Sequence, residues 1–486
     1  MKKMSTFKPI TDKQIAEWRK LTDERIEEIL NSPNMEIPKD AIVYYVSNNG
    51  DDNNDGLSPE TPLATLSAVN ALAFEGKAYV CFERGGLWRG QLNARRGVTY
   101  TAYGKGDKPK IYASPFDGAD PSIWTKTETE NIWSIQFDKR DIGTLVFNHG
   151  EKHAIKCVIR TEEDGSTYNN TTGKPFKTYT DLCDDLHFFH DYYDTGILYL
   201  YSIENPGERF DSIEFNIKDR IITTGGGTTI DNLCLKYGGA HGVGAGTAKD
   251  LTVQNCEFGW IGGSIQSEAI FGRNYGTRYG NAVEIYGGCD NFTVTDNYIY
   301  QIYDAGITQQ VGVGKEEIKN QKNMTYARNV IEYCNYSIEY FLSGQAGHGN
   351  PSRMENFLIE DNYMWYAGVG FCEQRPDRGE AAHIKTWYGL PGERNRATNY
   401  VIKDNLMLYA MDNLVHIFSN LYNPDGSDSM PTLENNNFLA KHGDAFGMLA
   451  QNDNSVKAYD ESILDYIGDM TNGDTFWIYE SDVDFK

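Results

Sequence analysis

Long apolar runs are missing from this chain. Nowhere in its 486 residues do about 20 uncharged apolar residues follow one another, as a membrane-spanning helix requires. The opening MKKMSTFKPITDKQ is basic but has no apolar stretch behind it, so no secretory signal is expected. Basic residues are scarce: 45 Lys and Arg stand against 69 Asp and Glu, for a net charge of −24. So acidic a surface repels phosphate backbones and anionic lipid, which argues against nucleic acid and membrane as partners. Acidic sugars are less disfavoured, because a bound Ca²⁺ would reverse the local field. The eight cysteines form no CxxC, and several fall inside apolar strand patterns. They read as small core fillers in a reducing compartment, and a cytoplasmic location is expected. His149, His153, His187 and His190 include no HExxH and no tetrahedral ligand spacing, so no metal site is expected there and these side chains read as surface or packing residues.

Helical periodicity is convincing only over residues 11–31. Thr11 and Gln14 make a capping box, and Ile15, Trp18, Ile26, Ile29 and Leu30 form an apolar stripe. Such a helix (within residues 1–39) would cap an open end or pack along one side of a larger body.

What the chain does have is repetition. Between Gly280 and Phe341, two stretches repeat one order: an alternating apolar run, an asparagine, two apolar residues, a tyrosine and a second strand. Phe292, Val294 and Asn297 in the first correspond to Met324, Tyr326 and Asn329 in the second. Self-similarity of this kind marks a solenoid. Asn232, Asn255, Asn297, Asn329, Asn362 and Asn405 each separate two apolar runs, and asparagines recurring at one corner can bond one another up a stack. These residues bear on the fold and not on the reaction. From about 122 to 218 the rhythm stops, and short period-2 runs joined by turns such as YDTG and ENPGE suggest an inserted antiparallel unit. The expected plan is all-β: first coils over 40–121, the insert over 122–218, and the main solenoid over 219–486.

In the first coils, Asp51, Asn53, Asp55 and Gly56 match the opening of an EF-hand loop, but Pro62 stands where the twelfth-position acid belongs. A structural Asx turn is the preferred reading, with Ca²⁺ the alternative. That opening, followed by AYVCFERGGLWRGQL and GVTYTAYGKGDKPKIYAS, resembles the first coils of right-handed parallel β-helix carbohydrate-active enzymes, the pectate-lyase-like superfamily. The resemblance implies a right-handed parallel β-helix and a carbohydrate substrate. In β-helix glycosidases of the β-xylosidase and fucosidase types, catalytic Asp and Glu come from neighbouring coils of one sheet face. By position this points to Asp304 and Glu339, with Glu284 as a third acid.

The residues support a site on the same face. Side chains alternate along a strand. With Val283, Ile307, Ile338 and Val415 inward, Glu284, Thr308, Glu339 and His416 face outward together. In the strand between the last two, either His383 or Lys385 takes the outward place. Parallel strands lie ~4.8 Å apart, which sets Glu284 and Glu339 roughly 10 Å apart at the backbone, with Asp304 at a strand entry between them. A row of acids at that pitch suits glycoside hydrolysis, which needs a proton donor and a second carboxylate. Arg375, Lys385, His383 and His416 are candidate substrate contacts. Trp387 and Tyr340 are candidate stacking platforms, as are Trp260, Tyr286, Tyr303, Trp365 and Tyr388. The alternatives are a polysaccharide lyase using Lys385, Arg375, Arg378 or His383 on a uronate, and a non-catalytic glycan-binding solenoid.

Overall fold

The computed structural model describes residues 2–137, 140–266, 277–312, 319–343, 352–375, 380–386, 395–417, 421–422, 430–448 and 455–479. Parallel pairing climbs from coil to coil: Ile42–Val46 pairs with Ala78–Glu83, which pairs with Val98–Tyr103, which pairs in turn with Ile222–Asp231. It then continues through Val243–Gln254, Cys289–Thr295, Gln321–Ala327, Arg353–Glu360 and Asn395–Lys403. The chain is a parallel β-helix. Its lumen is filled by the inward side chains of each rung, among them Val283, Ile307, Ile338, Ile384 and Val415, all at most 1 % exposed. Each such burial stabilises by about 1.5–3 kcal/mol.

Between Lys110–Tyr112 and Ile222–Asp231 the chain leaves this stack. Antiparallel pairs (Ile142–Phe147 with Ile213–Ile217, and His187–Asp191 with Ile197–Tyr201) build a separate core around Trp124, Phe147, Phe188 and Phe215.

The asparagine ladder is present, but its membership differs from the sequence reading. Asn297 Nδ2 donates to Asn329 Oδ1 at 3.0 Å, Asn329 to Asn362 at 3.0 Å, Asn362 to Asn405 at 2.9 Å, and Asn405 to Asn436 at 3.0 Å. Asp474 ends the column by accepting from Asn436 at 2.8 Å. Asn232 and Asn255 stand one position earlier, at a corner with φ of 60° and 51°, where later coils carry Asp296, Arg328, Asp361 and Asp404. Leu233 and Cys256 hold the ladder position in their coils, as the pairing of Cys234, Glu257 and Tyr298 shows. Asparagine tolerates the left-handed region better than most residues, so it serves at either neighbouring position.

The helix Asp12–Leu30 is capped by Thr11, whose hydroxyl accepts from Gln14 N–H. It lies along the outside of the solenoid. Trp18 packs with Trp365, Leu408 and Trp477, Arg19 pairs with Glu332, Arg25 pairs with Asp361, and the residues after the helix reach Asn232. End capping falls instead to the strand Thr6–Pro9, which adds in parallel to the last rung, Thr475–Tyr479, and stacks Phe7 on Phe476. Seven of the eight free cysteines are buried, and Cys183 is exposed. In the acidic loop, Asp51 closes an Asx turn onto Asn53 N–H, Asp55 accepts from Leu57 N–H, and Asp52 takes the Ala64 and Thr65 amides at the start of a short helix. No helix among the described residues is long and apolar enough to cross a membrane.

Candidate active site

Register decides which side chains meet. Parallel pairing sets Glu284 beside Thr308, Thr308 beside Glu339, Glu339 beside Lys385 and Lys385 beside His416. They form one column on the outer face, because their neighbours Val283, Ile307, Ile338, Ile384 and Val415 fill the lumen. Asp304 enters at the corner preceding its rung, where its N–H donates to Gly280 O. That corner is tight. Gly280, at φ +138°, would bring a Cβ within 2.1 Å of Gly262 Cα, so only glycine lets these two rungs approach.

The three acids have different partners. Glu339 is 5 % exposed and accepts from Lys385 Nζ at 2.9 Å and Gln310 Nε2 at 2.6 Å. Glu339 holds Lys385 above its ordinary value against the opposing effect of burial. Asp304 accepts from Arg375 Nη1. Burial raises the Asp304 pKa, the nearby Glu339 charge adds to that, and Arg375 and Lys385 oppose it. The net displacement is upward. Both cations also lie over Tyr336, with Lys385 Nζ at 4.2 Å and Arg375 Cζ at 5.3 Å from the ring centre.

Among the described residues no cation hydrogen-bonds Glu284. It is 5 % exposed, accepts from Asn281 Nδ2 at 2.5 Å, and places Oε2 3.0 Å from His241 Nδ1. Burial pushes its pKa up to about 7, with Asp304 adding to the rise, while Asn281 and the more distant Arg220 oppose it. His241 is pushed down to about 3 by burial, so its ring is neutral. Its Nδ1 already accepts the Asn281 backbone N–H at 3.2 Å. With that lone pair engaged Nδ1 carries no proton to give Glu284, so an ionised carboxylate would face it acceptor to acceptor. Protonation of Glu284 relieves this, the two donors then sharing one lone pair.

The remaining candidates are dispersed. His383 is fully buried, with Nδ1 3.0 Å from Ser337 Oγ and Nε2 3.2 Å from Leu408 O, so both nitrogens are committed within the wall. His383 and Lys385 share the outer side of their strand, but only Lys385 reaches the acids. His416 is 5 % exposed, its pKa lowered by burial and by Lys385 against the opposing Glu380 charge. Tyr340 is corrected: it is fully buried in the lumen among Phe357 and Tyr400, because one step from an outward Glu339 points inward. Tyr303, Trp260 and Trp365 are also buried, whereas Tyr286, two residues beyond Glu284, is 50 % exposed. Trp387, Tyr388 and Arg378 lie outside the described residues. His241, Asn281, Gln310 and Tyr336 join the site without having been singled out as site residues. His241, Asn281 and Tyr336 sit at strand entries, where alternation gives no signal, whereas Gln310, two residues beyond Thr308, shares its outward face.

No protein-family model and no curated protein matches the chain. Among solved structures it is similar to a glycoside hydrolase (TM-score 0.47, 10 % identity, covering 92 % of this chain and 98 % of that one). It is also similar to a GH136 lacto-N-biosidase from Eubacterium ramulus (0.43, 14 %, 90 % and 68 %). Pectate lyase Pel9A is a further similar structure (0.41, 12 %, 84 % and 72 %).

Proposed function

We propose that this protein is a glycoside hydrolase in which Glu284 is the general acid, and Glu339 with Asp304 supplies the opposing negative charge. The observation that carries the reading is the unequal pairing of the three acids. Two cations are committed to Asp304 and Glu339, and the remaining carboxyl is buried against a neutral histidine at a pKa of about 7. A donor poised near neutrality beside a charged partner is what protonation of a glycosidic oxygen requires.

In this reading Glu284 protonates the leaving oxygen, and Glu339, oriented by Lys385 and Gln310, accepts a proton from the attacking water. Asp304 stabilises the positive charge that develops on the sugar ring. Two strand steps separate the Glu284 and Glu339 backbones by roughly 10 Å, which suits a single displacement with a water between the carboxyls. Tyr286 offers an exposed ring on the same side. A lyase reading is less well supported. Lys385, its candidate base, is held charged by Glu339, and Arg375 is held by Asp304.

A screen of oligosaccharides and aryl glycosides tests the reading, with NMR detection of the first-formed anomer. Inverted product is expected, with kcat reduced by about 100-fold or more in Glu284→Gln. An unsaturated uronate product would replace the hydrolase with the lyase.

A further inference from the structure

Arg375 reaches Asp304 from a short 3₁₀ turn, Gly370–Gln374, that belongs to neither strand of the acid column. The turn is held from two sides: Phe371 N–H donates to Gln301 Oε1 of the solenoid at 2.8 Å, while the Gln374 end, next to Arg375, is held by the insert. Gln374, 5 % exposed, accepts the Lys156 backbone N–H through Oε1 at 3.1 Å and donates Nε2 to Ala154 O at 3.3 Å. Lys156 and Ala154 both belong to the antiparallel insert. The same Oε1 accepts from Arg278 Nη2 at 3.0 Å, and that nitrogen also donates to Gly143 O of the insert.

The insert is itself anchored to the solenoid at this point. Lys156 Nζ lies 2.5 Å from both carboxylate oxygens of Asp141, whose Oδ2 accepts the Ile265 N–H at 2.6 Å. A Cβ on Gly143 would lie 2.2 Å from Gly262 O, so the two backbones are in direct contact.

We infer that Gln374 is a positioning residue through which the inserted unit sets Arg375 against Asp304, making the insert part of the catalytic frame. This rests on the hydrolase reading above. The amide is suited to the place because it accepts two N–H groups and donates to a carbonyl at once. Glutamate would keep the acceptor and lose the donor, whereas alanine loses both. Among the described residues the groups acting on Asp304 are Arg375, Lys385, Glu339, Glu284 and Tyr336, with His241 beyond Glu284. Of these, only Arg375 is carried on the turn that Gln374 pins. If it drifts, Asp304 loses its nearest cation and protonates at higher pH, so the acid limb of the rate profile moves up.

The test compares Gln374→Ala, Gln374→Glu and Ser264→Ala. Ser264 donates to Asp141 O at the same interface and, among the described residues, makes no hydrogen bond to the turn. Gln374→Ala is expected to lower kcat by at least about tenfold with KM within about twofold, because the defect is one of orientation. Its acid limb should shift upward, Gln374→Glu should recover part of the loss, and Ser264→Ala should reproduce neither effect. A substrate-free arm measures Tm for Gln374→Ala, Asp304→Asn and the double variant. Non-additive shifts are expected, since the turn is the only link proposed between these two side chains. Additive Tm shifts, or a Gln374→Ala enzyme with wild-type kcat and acid limb, overturn the inference. If Glu284→Gln and Asp304→Asn both turn over like wild type, the hydrolase reading fails instead, and the Tm cycle still decides whether Gln374 positions Arg375.

Discussion

Glu284 Oε2 lies 3.0 Å from a His241 nitrogen that accepts the Asn281 backbone N–H, so an ionised carboxylate would face an acceptor there and the protonated form is favoured. The group has a folded-state pKa of about 7 against an ordinary 4.5. Between those values the folded chain binds the extra proton and the unfolded chain does not. The stability it contributes is therefore complete below about pH 4.5 and is lost as pH rises through 7, an effect of about 3 kcal/mol. His241 acts in the opposite sense, its contribution being complete above 6.5 and lost as pH falls toward 3. Glu284→Gln should remove the first slope. Denaturant unfolding at pH 5 and pH 7.5 would then show the variant gaining on wild type at the higher pH. Parallel curves would refute the assignment.

The pair of Glu339 and Lys385 makes a different demand. Their side chains are 6 % and 3 % exposed, so removing either partner strands a buried charge. Lys385→Met alone should cost about 3–5 kcal/mol, whereas Lys385→Met with Glu339→Gln should restore most of that loss while activity stays abolished. Equilibrium unfolding of the three variants measures this directly. A double variant no more stable than Lys385→Met would contradict the pairing.

Tyr286 and Tyr340 look alike in the sequence, each near an outward glutamate, yet one is 50 % exposed and the other fully buried. Tyr340→Ala should cost about 3–5 kcal/mol by opening a cavity in the lumen. Tyr286→Ala should leave stability within about 0.5 kcal/mol and raise KM by about tenfold if its ring stacks on sugar. Thermal melts and steady-state kinetics separate the two effects, and an unchanged KM would remove Tyr286 from the substrate path.

Parity explains both what the sequence disclosed and what it concealed. Alternation along Val283–Tyr286 and its neighbours put Glu284, Thr308 and Glu339 on one face, because an unbroken strand permits only two orientations. It failed at strand entries, where Asn281 and Tyr336 turn a corner, and so His241 and the whole proton-holding side of Glu284 were not visible. It was overlooked for Tyr340, whose inward direction follows from the outward Glu339. The ladder asparagines were legible as a recurrence, but two of the six belonged to the adjacent left-handed corner, a distinction only coordinates supply. Arg375 was legible only as a nearby cation, since its position depends on an insert more than 200 residues away in sequence.

The ladder itself should matter for stability and not for chemistry. Asn362 Oδ1 accepts both Asn329 N–H groups at 3.0 Å, and its Nδ2 donates to Tyr326 O and Asn405 Oδ1 at 2.9 Å. Asn362→Ala leaves several of these groups buried and unpaired, at a cost of about 2–4 kcal/mol. The pH profile of the folded fraction should be unchanged, and a displaced profile would show the corner reaching the acids.

The most direct test of the assignment to Glu284 compares leaving groups. Wild type and Glu284→Gln are assayed on a glycoside that needs protonation to depart and on an activated aryl glycoside that does not. The variant is expected to lose the first activity by about 100-fold or more while keeping most of the second. Equal losses on both substrates, or full turnover of both, would contradict the placement of the acid at Glu284.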